Sequence, residues 1–431
     1  MGLFLSAACR PEAEPVDDDC PAGEHREGET CVPHTSCEPG EHVVSEGSPT
    51  SDRECSGCTE GTFSVEPDAP ECTAWTPCAA GFVESTPGTT TTDRACALGE
   101  PWSVDVPMDV YGLAFAGDRL LVSGDLPDAS GRAYALDGAG TELWMETLGS
   151  GPAGLAYLHS VAVADDGSIV VAAESDGLLL HRLADDGMRI RTDLVDGAAS
   201  LALGDVMAET EGVVVAGSGF PPGSGGAFGF MRQVLPDGSD GWSVTLSATD
   251  AHVAGLARGS DGALFMAGWS ASQPVVRRYD GEVPEQTWSR PVLLEDVALF
   301  DLVAYDGGAV LAGGVAYGSG FVRRYASDGT EMWTHTVLAG SRSEALGVAV
   351  DAHGHLVVVG STDTGLGQPV SGLYDGFVRV LDGDGTVILT VQTDHPLVEV
   401  ASGASGWVYV AELAGDYYSE GPTTVWSHHH E

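Results

Sequence analysis

The chain has 431 residues and a formal charge of −46, from 64 acidic and 18 basic residues. Every basic residue is Arg, so there is no lysine for Schiff-base chemistry or for the phosphate-gripping position of a P-loop, and no asparagine for N-glycosylation. A field of this sign repels nucleic acid and anionic lipid, and no run approaches the ~18 apolar residues of a membrane-spanning helix.

The chain opens MGLFLSAAC, a short apolar stretch whose last residues before Cys9 are small. Residues 10–19 are acidic and contain proline, which suits a flexible tether. The opening resembles the end of a bacterial lipoprotein signal. That resemblance implies a lipid on Cys9 and attachment to a membrane surface; a free N-terminus with a chance cysteine is the competing reading.

The other eight cysteines form two copies of one pattern, over residues 20–57 and 58–98. The first runs Cys20, Cys31, Cys37, Cys55 and the second Cys58, Cys72, Cys78, Cys96, with the last two intervals identical in both. The endings repeat as well, SPTSDREC in one and TTTTDRAC in the other. Zinc is the competing use, but only Cys55-Ser-Gly-Cys58 has a zinc-like spacing, and it straddles the two copies. Neither copy has enough apolar residues for a core, so covalent bridges must hold it. The residues CSGCTEGTFSVEPDAPECTAWTPCAAGF, with the later GTTTTDRAC, resemble the cysteine-rich modules of tumour-necrosis-factor receptors. The resemblance implies local pairing, Cys20–Cys31, Cys37–Cys55, Cys58–Cys72 and Cys78–Cys96, and a rod-like spacer.

From residue 99 cysteine vanishes and short apolar runs alternate with Gly/Asp turns. One motif recurs seven times: LLVSGD at 120, IVVAAE at 169, VVVAGS at 213, LFMAGW at 264, AVLAGG at 309, LVVVGS at 356 and VYVAEL at 408. This spacing is that of propeller blades, and each unit reads as four short strands. The first turn of a unit is Asp-x-x-Gly and the third Asp-Gly rich, which supplies residues that tolerate positive φ. Trp144, Trp242, Trp288 and Trp333 recur on the fourth strand and are expected to pack between blades. The seventh unit lacks a fourth strand, and residues 101–106 are expected to supply it and close the ring. The expected fold is therefore all-β: a seven-bladed propeller over residues 99–431, preceded by a small disulfide-rich stalk. The pieces GFVRRY, SDGTEMW, ALGVAVDAHGHLVVVGST and YDGFVRVLDGDG resemble bacterial SBBP-type propeller repeats, which implies an extracellular propeller without assigned catalysis. YALDGAGTELW is similar to the repeat of quinoprotein propellers.

No nucleophile-elbow, zinc-protease, P-loop or dinucleotide motif is present. His353 and His355 share a turn without further nominated ligands, and Asp382-Gly-Asp384-Gly385 lacks the later oxygens of a calcium loop. No catalytic residue, metal or cofactor is expected. The expected function is non-enzymatic binding or adhesion, by a monomer at the cell surface or outside it, toward a protein or glycan. A propeller enzyme (quinoprotein-like oxidoreductase or polysaccharide hydrolase or lyase) and an outer-membrane assembly scaffold are the alternatives. The loops after strands two and four vary in length and share one face, where binding usually resides. Phe220, Trp269, Tyr317, Tyr374, Tyr417 and Tyr418 are the ligand candidates there, beside Asp125, Asp128, Asp363 and Asp416.

Overall fold

The computed structural model describes residues 20–75, 82–98, 102–126, 130–148, 157–164, 166–174, 177–195, 201–209, 211–219, 228–246, 251–294, 296–316, 318–337, 342–366, 369–402, 407–413 and 423–429. They form two compact units, a cysteine-rich one and a propeller.

In the cysteine-rich unit each copy is built from two short hairpins. Glu24–Glu27 pairs with Thr30–Pro33 and Glu41–Ser45 with Glu54–Gly57, and in the second copy Thr62–Phe63 pairs with Thr73–Ala74. Cys20–Cys31, Cys37–Cys55 and Cys58–Cys72 are bridged. Cys37 is fully buried, and Cys20 and Cys58 nearly so, so the bridges occupy the place a hydrophobic core would take. The expected fourth bridge, Cys78–Cys96, lies outside the described residues. Backbone bonds from the Gly40 amide to the Ser64 carbonyl and from the Cys58 amide to the Gly40 carbonyl stitch the copies together.

The propeller has seven four-stranded antiparallel sheets. Blades one to six span residues 109–148, 157–195, 201–246, 252–291, 297–336 and 343–393, each a meander in chain order. Blade seven takes three strands from residues 397–429 and its fourth from Ser103–Val106, which pairs antiparallel with Thr423–His429. First strands of successive blades touch, and that of blade seven touches that of blade one, so seven first strands enclose the axis. The seven recurring motifs are the second strands. They are rich in Val, Ala and Gly because they are covered on both faces: Val213–Ala216 and Val357–Val359 are essentially inaccessible to water.

Among the described residues, four of the seven junctions between neighbouring blades share one contact. A Trp on the fourth strand lies over the strand three–four turn of the next blade and donates its indole N–H to a turn carbonyl. Trp144 reaches Asp185 at 3.0 Å, Trp288 reaches Ser327 at 2.8 Å and Trp333 reaches Gly383 at 3.0 Å. Trp102, just ahead of the closing strand, does the same to Gly138 of blade one at 3.0 Å, so the seam reproduces the contact made elsewhere. The turn must carry glycine for two reasons. Gly329 has φ +79, and a Cβ there would sit 2.9 Å from the Trp288 ring; Gly385 has φ +80 and would meet the Trp333 ring at 2.8 Å. Blade two places Arg191 at this position instead; it bonds the Leu235 carbonyl of blade three and the Asp193 carboxylate.

Candidate functional site

Two places on a propeller can carry chemistry: the axial channel and the loops at its ends. The channel is set by a bulge shared by all seven first strands. One residue in each slips out of register with the second strand: Tyr111, His159, Gly204, Ala254, Phe300, Leu346 and Val398. A bulge interrupts the ladder and leaves polar backbone groups to be satisfied otherwise. The residues that follow it are Gly112, Ser160, Asp205, Gly255, Asp301, Gly347 and Glu399.

The carboxylates in this series bond backbone. Asp205 accepts its own following amide, Val206, at 2.7 Å, and that of Leu256 in blade four at 2.9 Å. The Ser160 hydroxyl of blade two donates to it at 3.1 Å, so Asp205 ties three blades together. Asp301 repeats the arrangement, accepting from Leu302 at 2.7 Å and from Val348 of blade six at 2.7 Å. Glu399 accepts from Val400 at 3.4 Å. Each Asp reaches toward a blade that has glycine at the matching place. A Cβ on Gly255 would come 3.3 Å from the Leu302 amide, and one on Gly347 would come 3.1 Å from Val400.

Enclosure by protein makes the charged forms costly. Burial pushes the Asp205 carboxyl up to about 7, with the Asp301 charge adding to it and the Leu256 amide, the Ser160 hydroxyl and the Val206 amide opposing it. Burial likewise raises Asp301, and raises Glu399 well above the usual range, the latter helped by the charges of Asp301 and Asp205. Converging carboxylates with displaced proton affinities are what an enzyme would need, but the two Asp side chains are already engaged by backbone amides on either side. Their chemistry is that of an inter-blade clasp. This series was missed in the sequence, although GLAF, SVAV, DVMA, GLAR, DLVA, GVAV and EVAS each begin eight or nine residues before the strand-two motif of their unit.

At the end of the channel where second strands finish, Glu174 accepts from the Leu203 amide of blade three. His252 lies 3.2 Å from the Ser218 hydroxyl, and its ring packs 5.5 Å from that of Trp269. Of the six aromatic candidates, Trp269 and Tyr374 are among the described residues; Phe220, Tyr317, Tyr417 and Tyr418 lie outside them, as do Asp128 and Asp416. Trp269 is half-buried against the blade four–five core, and Tyr374 lies under the Arg342 guanidinium at 5.5 Å. These contacts fix the orientation of both rings. Asp125 is buried, and Asp363 accepts the Arg342 amide at 3.0 Å. On the opposite face, a cleft of about 890 Å³ opens between blades three and four, lined by Glu209, Gln233, Trp242, Arg258 and Glu282. Blade four has Gly281-Glu282-Val283-Pro284 in its third turn at this place, and Trp242 in the cleft wall is buried.

His353 and His355 gain a third group, Asp351, with ligand atoms of the three within 4.8 Å of one another. Asp351 Oδ1 accepts the amides of His353 (2.8 Å) and His355 (2.7 Å), the same turn-closing bond that Asp382 makes in the third turn of that blade, and Asp351 Oδ2 lies 3.1 Å from His355 Nδ1, so that ring nitrogen already has a hydrogen-bond partner. The cluster is accounted for as a turn.

The protein is thus an all-β chain in which a disulfide-rich N-terminal region precedes a seven-bladed propeller. Residues 20–55 and 58–96 match the family described as the TNFR/NGFR cysteine-rich region. Tumor necrosis factor receptor superfamily member 21 of Mus musculus is 33% identical over 113 residues, and that of Rattus norvegicus 31% over the same length. Those segments are 26% of this chain and 17% of each receptor, so the chain spans about a sixth of the relatives it matches. Among solved structures, the Cps50 (Swd1) β-propeller domain of Myceliophteria thermophila covers 76% of this chain and 98% of its own, at 12% identity and TM-score 0.53. BamB from Moraxella catarrhalis covers 81% of this chain and 91% of its own, at 15% identity and TM-score 0.46. Disulfide-held modules of the receptor type imply an extracellular or surface location.

Proposed function

We propose that this chain is a non-enzymatic binding protein of the cell exterior, in which receptor-type cysteine-rich modules and a propeller serve as recognition domains for a protein or glycan. The observation that carries the reading is the match of residues 20–55 and 58–96 to the TNFR/NGFR cysteine-rich region. The channel supports it, because the two Asp carboxylates that could have served catalysis instead accept backbone amides of the next blade. On this reading a lipid on Cys9 tethers the chain to a membrane, and the face bearing Trp269 and Tyr374 offers the ligand surface.

The test is a screen of the full chain against immobilised glycans and secreted proteins, followed by mass spectrometry of each partner after long incubation. Saturable binding, with the partner chemically unchanged and affinity reduced by Tyr374→Ala or Trp269→Ala, is the expected result. A partner that emerges cleaved or oxidised, with turnover abolished by Asp301→Asn, overturns the reading in favour of an enzyme.

A further inference from the structure

The two cysteine-rich copies share a framework, and the places where their residues differ in chemistry are informative. Five residues after the first cysteine stands His25 in copy one and Phe63 in copy two; three residues before the third cysteine stand His34 and Trp75. The structure makes these positions equivalent. His25 pairs with Val32 and Phe63 with Thr73, each the residue after the second cysteine of its copy. Gly47 packs on the His34 ring as Gly88 packs on that of Trp75. In copy two this place is a stack: the Arg94 guanidinium lies 5.2 Å from the Trp75 ring, and the indole N–H bonds the Thr89 carbonyl at 3.0 Å.

Copy one puts two imidazoles there, stacked 5.5 Å apart and within 6° of parallel. Packing alone would be served by any aromatic ring, as it is in copy two. What distinguishes the imidazoles is where their nitrogens go. Both Nδ1 atoms are buried and lack a hydrogen-bond partner. Both face one oxygen, Oδ1 of Asp52, at 3.4 Å from His25 and 3.5 Å from His34. The His34 side chain is 9% exposed, so its orphaned nitrogen has no route to bulk water. Two donors bound to one tetrahedral zinc at ordinary bond lengths are about 3.4 Å apart. These two nitrogen–oxygen separations are therefore too long for good hydrogen bonds and right for neighbouring ligands of one ion, and all three groups place a ligand atom within 4.8 Å of the others. The carboxylate is held in place from behind: Thr35 donates its amide to Oδ1 at 2.7 Å and its hydroxyl to Oδ2 at 2.5 Å, and the Arg53 amide donates to Oδ1 at 2.7 Å. These bonds also hold the carboxyl well below its usual range, the Thr35 hydroxyl most of all, so it presents a negative charge.

We propose that His25, His34 and Asp52 form a divalent-metal site for zinc in the first cysteine-rich module, with Nδ1 of each imidazole and one carboxylate oxygen as ligands. Three protein ligands leave a fourth coordination position open to water or to a donor from a binding partner. The ion would lock the first hairpin to the loop before Cys55, which no bridge does directly.

Calorimetric titration of zinc ions into the full oxidised chain tests this. Three variants separate the site from other histidines: His25→Phe/His34→Trp, which installs the residues copy two already accommodates; Asp52→Asn; and His353→Ala/His355→Ala, with a version lacking residues 428–431 as a further control. The expected result is one tight equivalent of zinc that weakens by at least about 100-fold in the first two variants and survives in the third and in the truncated chain. Peptide mapping of the first variant must return Cys20–Cys31 and Cys37–Cys55, which separates loss of ligands from loss of fold. If that variant, correctly bridged, binds zinc with the stoichiometry and affinity of the parent, or if the parent binds none, the assignment is overturned.

Discussion

Replacing Asp205 by Asn tests whether the channel carboxylates act as neutral clasps. The folded chain holds this proton up to about pH 7, against 3.8 for an unperturbed group. Folding therefore binds a proton between those two values. The stability this contributes is fully present below about pH 4 and is lost as pH rises through 7, the reverse of a salt-bridged aspartate. About three pH units at roughly 1.4 kcal/mol each set a ceiling of about 4 kcal/mol on the cost of forcing the ionised form into the channel at pH 8. Asn carries no charge at any pH and keeps one oxygen, which can accept from Val206 or from Leu256 but not from both, since these amides bond different oxygens of the carboxyl. The assay is urea unfolding followed by tryptophan fluorescence, for parent and variant, between pH 4.5 and 8. The variant should gain on the parent as pH rises, by up to about 4 kcal/mol at pH 8, and should be no more stable than the parent at pH 4.5. A parent that instead gains on the variant toward pH 8 would mean that Asp205 is ionised in the fold and that its amide bonds outweigh desolvation.

Trp288→Ala removes a buried ring from the blade four–five contact and should cost about 3–5 kcal/mol in the same assay, while Gly329→Ala, which strains the turn beneath that ring, should cost about 1–3 kcal/mol. Deleting residues 101–107 strips blade seven of its outer strand and of Trp102, and the expected outcome is aggregation visible by light scattering; a monomer that melts like the parent would refute closure by this strand. Cys37→Ala/Cys55→Ala opens a loop of about 18 residues and should destabilise the first module by about 3 kcal/mol, leaving the propeller's melting transition in calorimetry unmoved.

The propeller could be read from the sequence because its second strands are the most constrained elements. Covered on both faces, they recur as Val/Ala/Gly runs at a steady period. The closing strand was legible by arithmetic, since Pro101-Trp-Ser-Val had the look of a fourth strand with no blade of its own. The recurring Trp was legible too, but not that glycine is needed under it, which depends on a contact between blades. The channel series is hard to read from the sequence because a bulge shifts alternation by one residue ahead of Asp205 and Asp301. His25 and His34 escaped for another reason: comparing the copies by their cysteines draws the eye to what is the same, and the chemistry lies where they differ. On the loop face the sequence named six aromatics from loop variability alone, and the two that are described, Trp269 and Tyr374, are held by His252 and Arg342, partners at a distance in sequence.

The seam of the ring also has a mechanical character. Ser103 lies opposite Trp426 and Val106 opposite Thr423, so the chain enters the closing strand and leaves its partner at the same end of the pair. A pull between the cysteine-rich modules and the C-terminus would load the bonds between Trp102 and Ser427 first, and then the rest one at a time. Strands loaded in this direction peel like a zipper; they do not resist in shear. Tension would thus open the seam of blade seven bond by bond, beginning at Trp102.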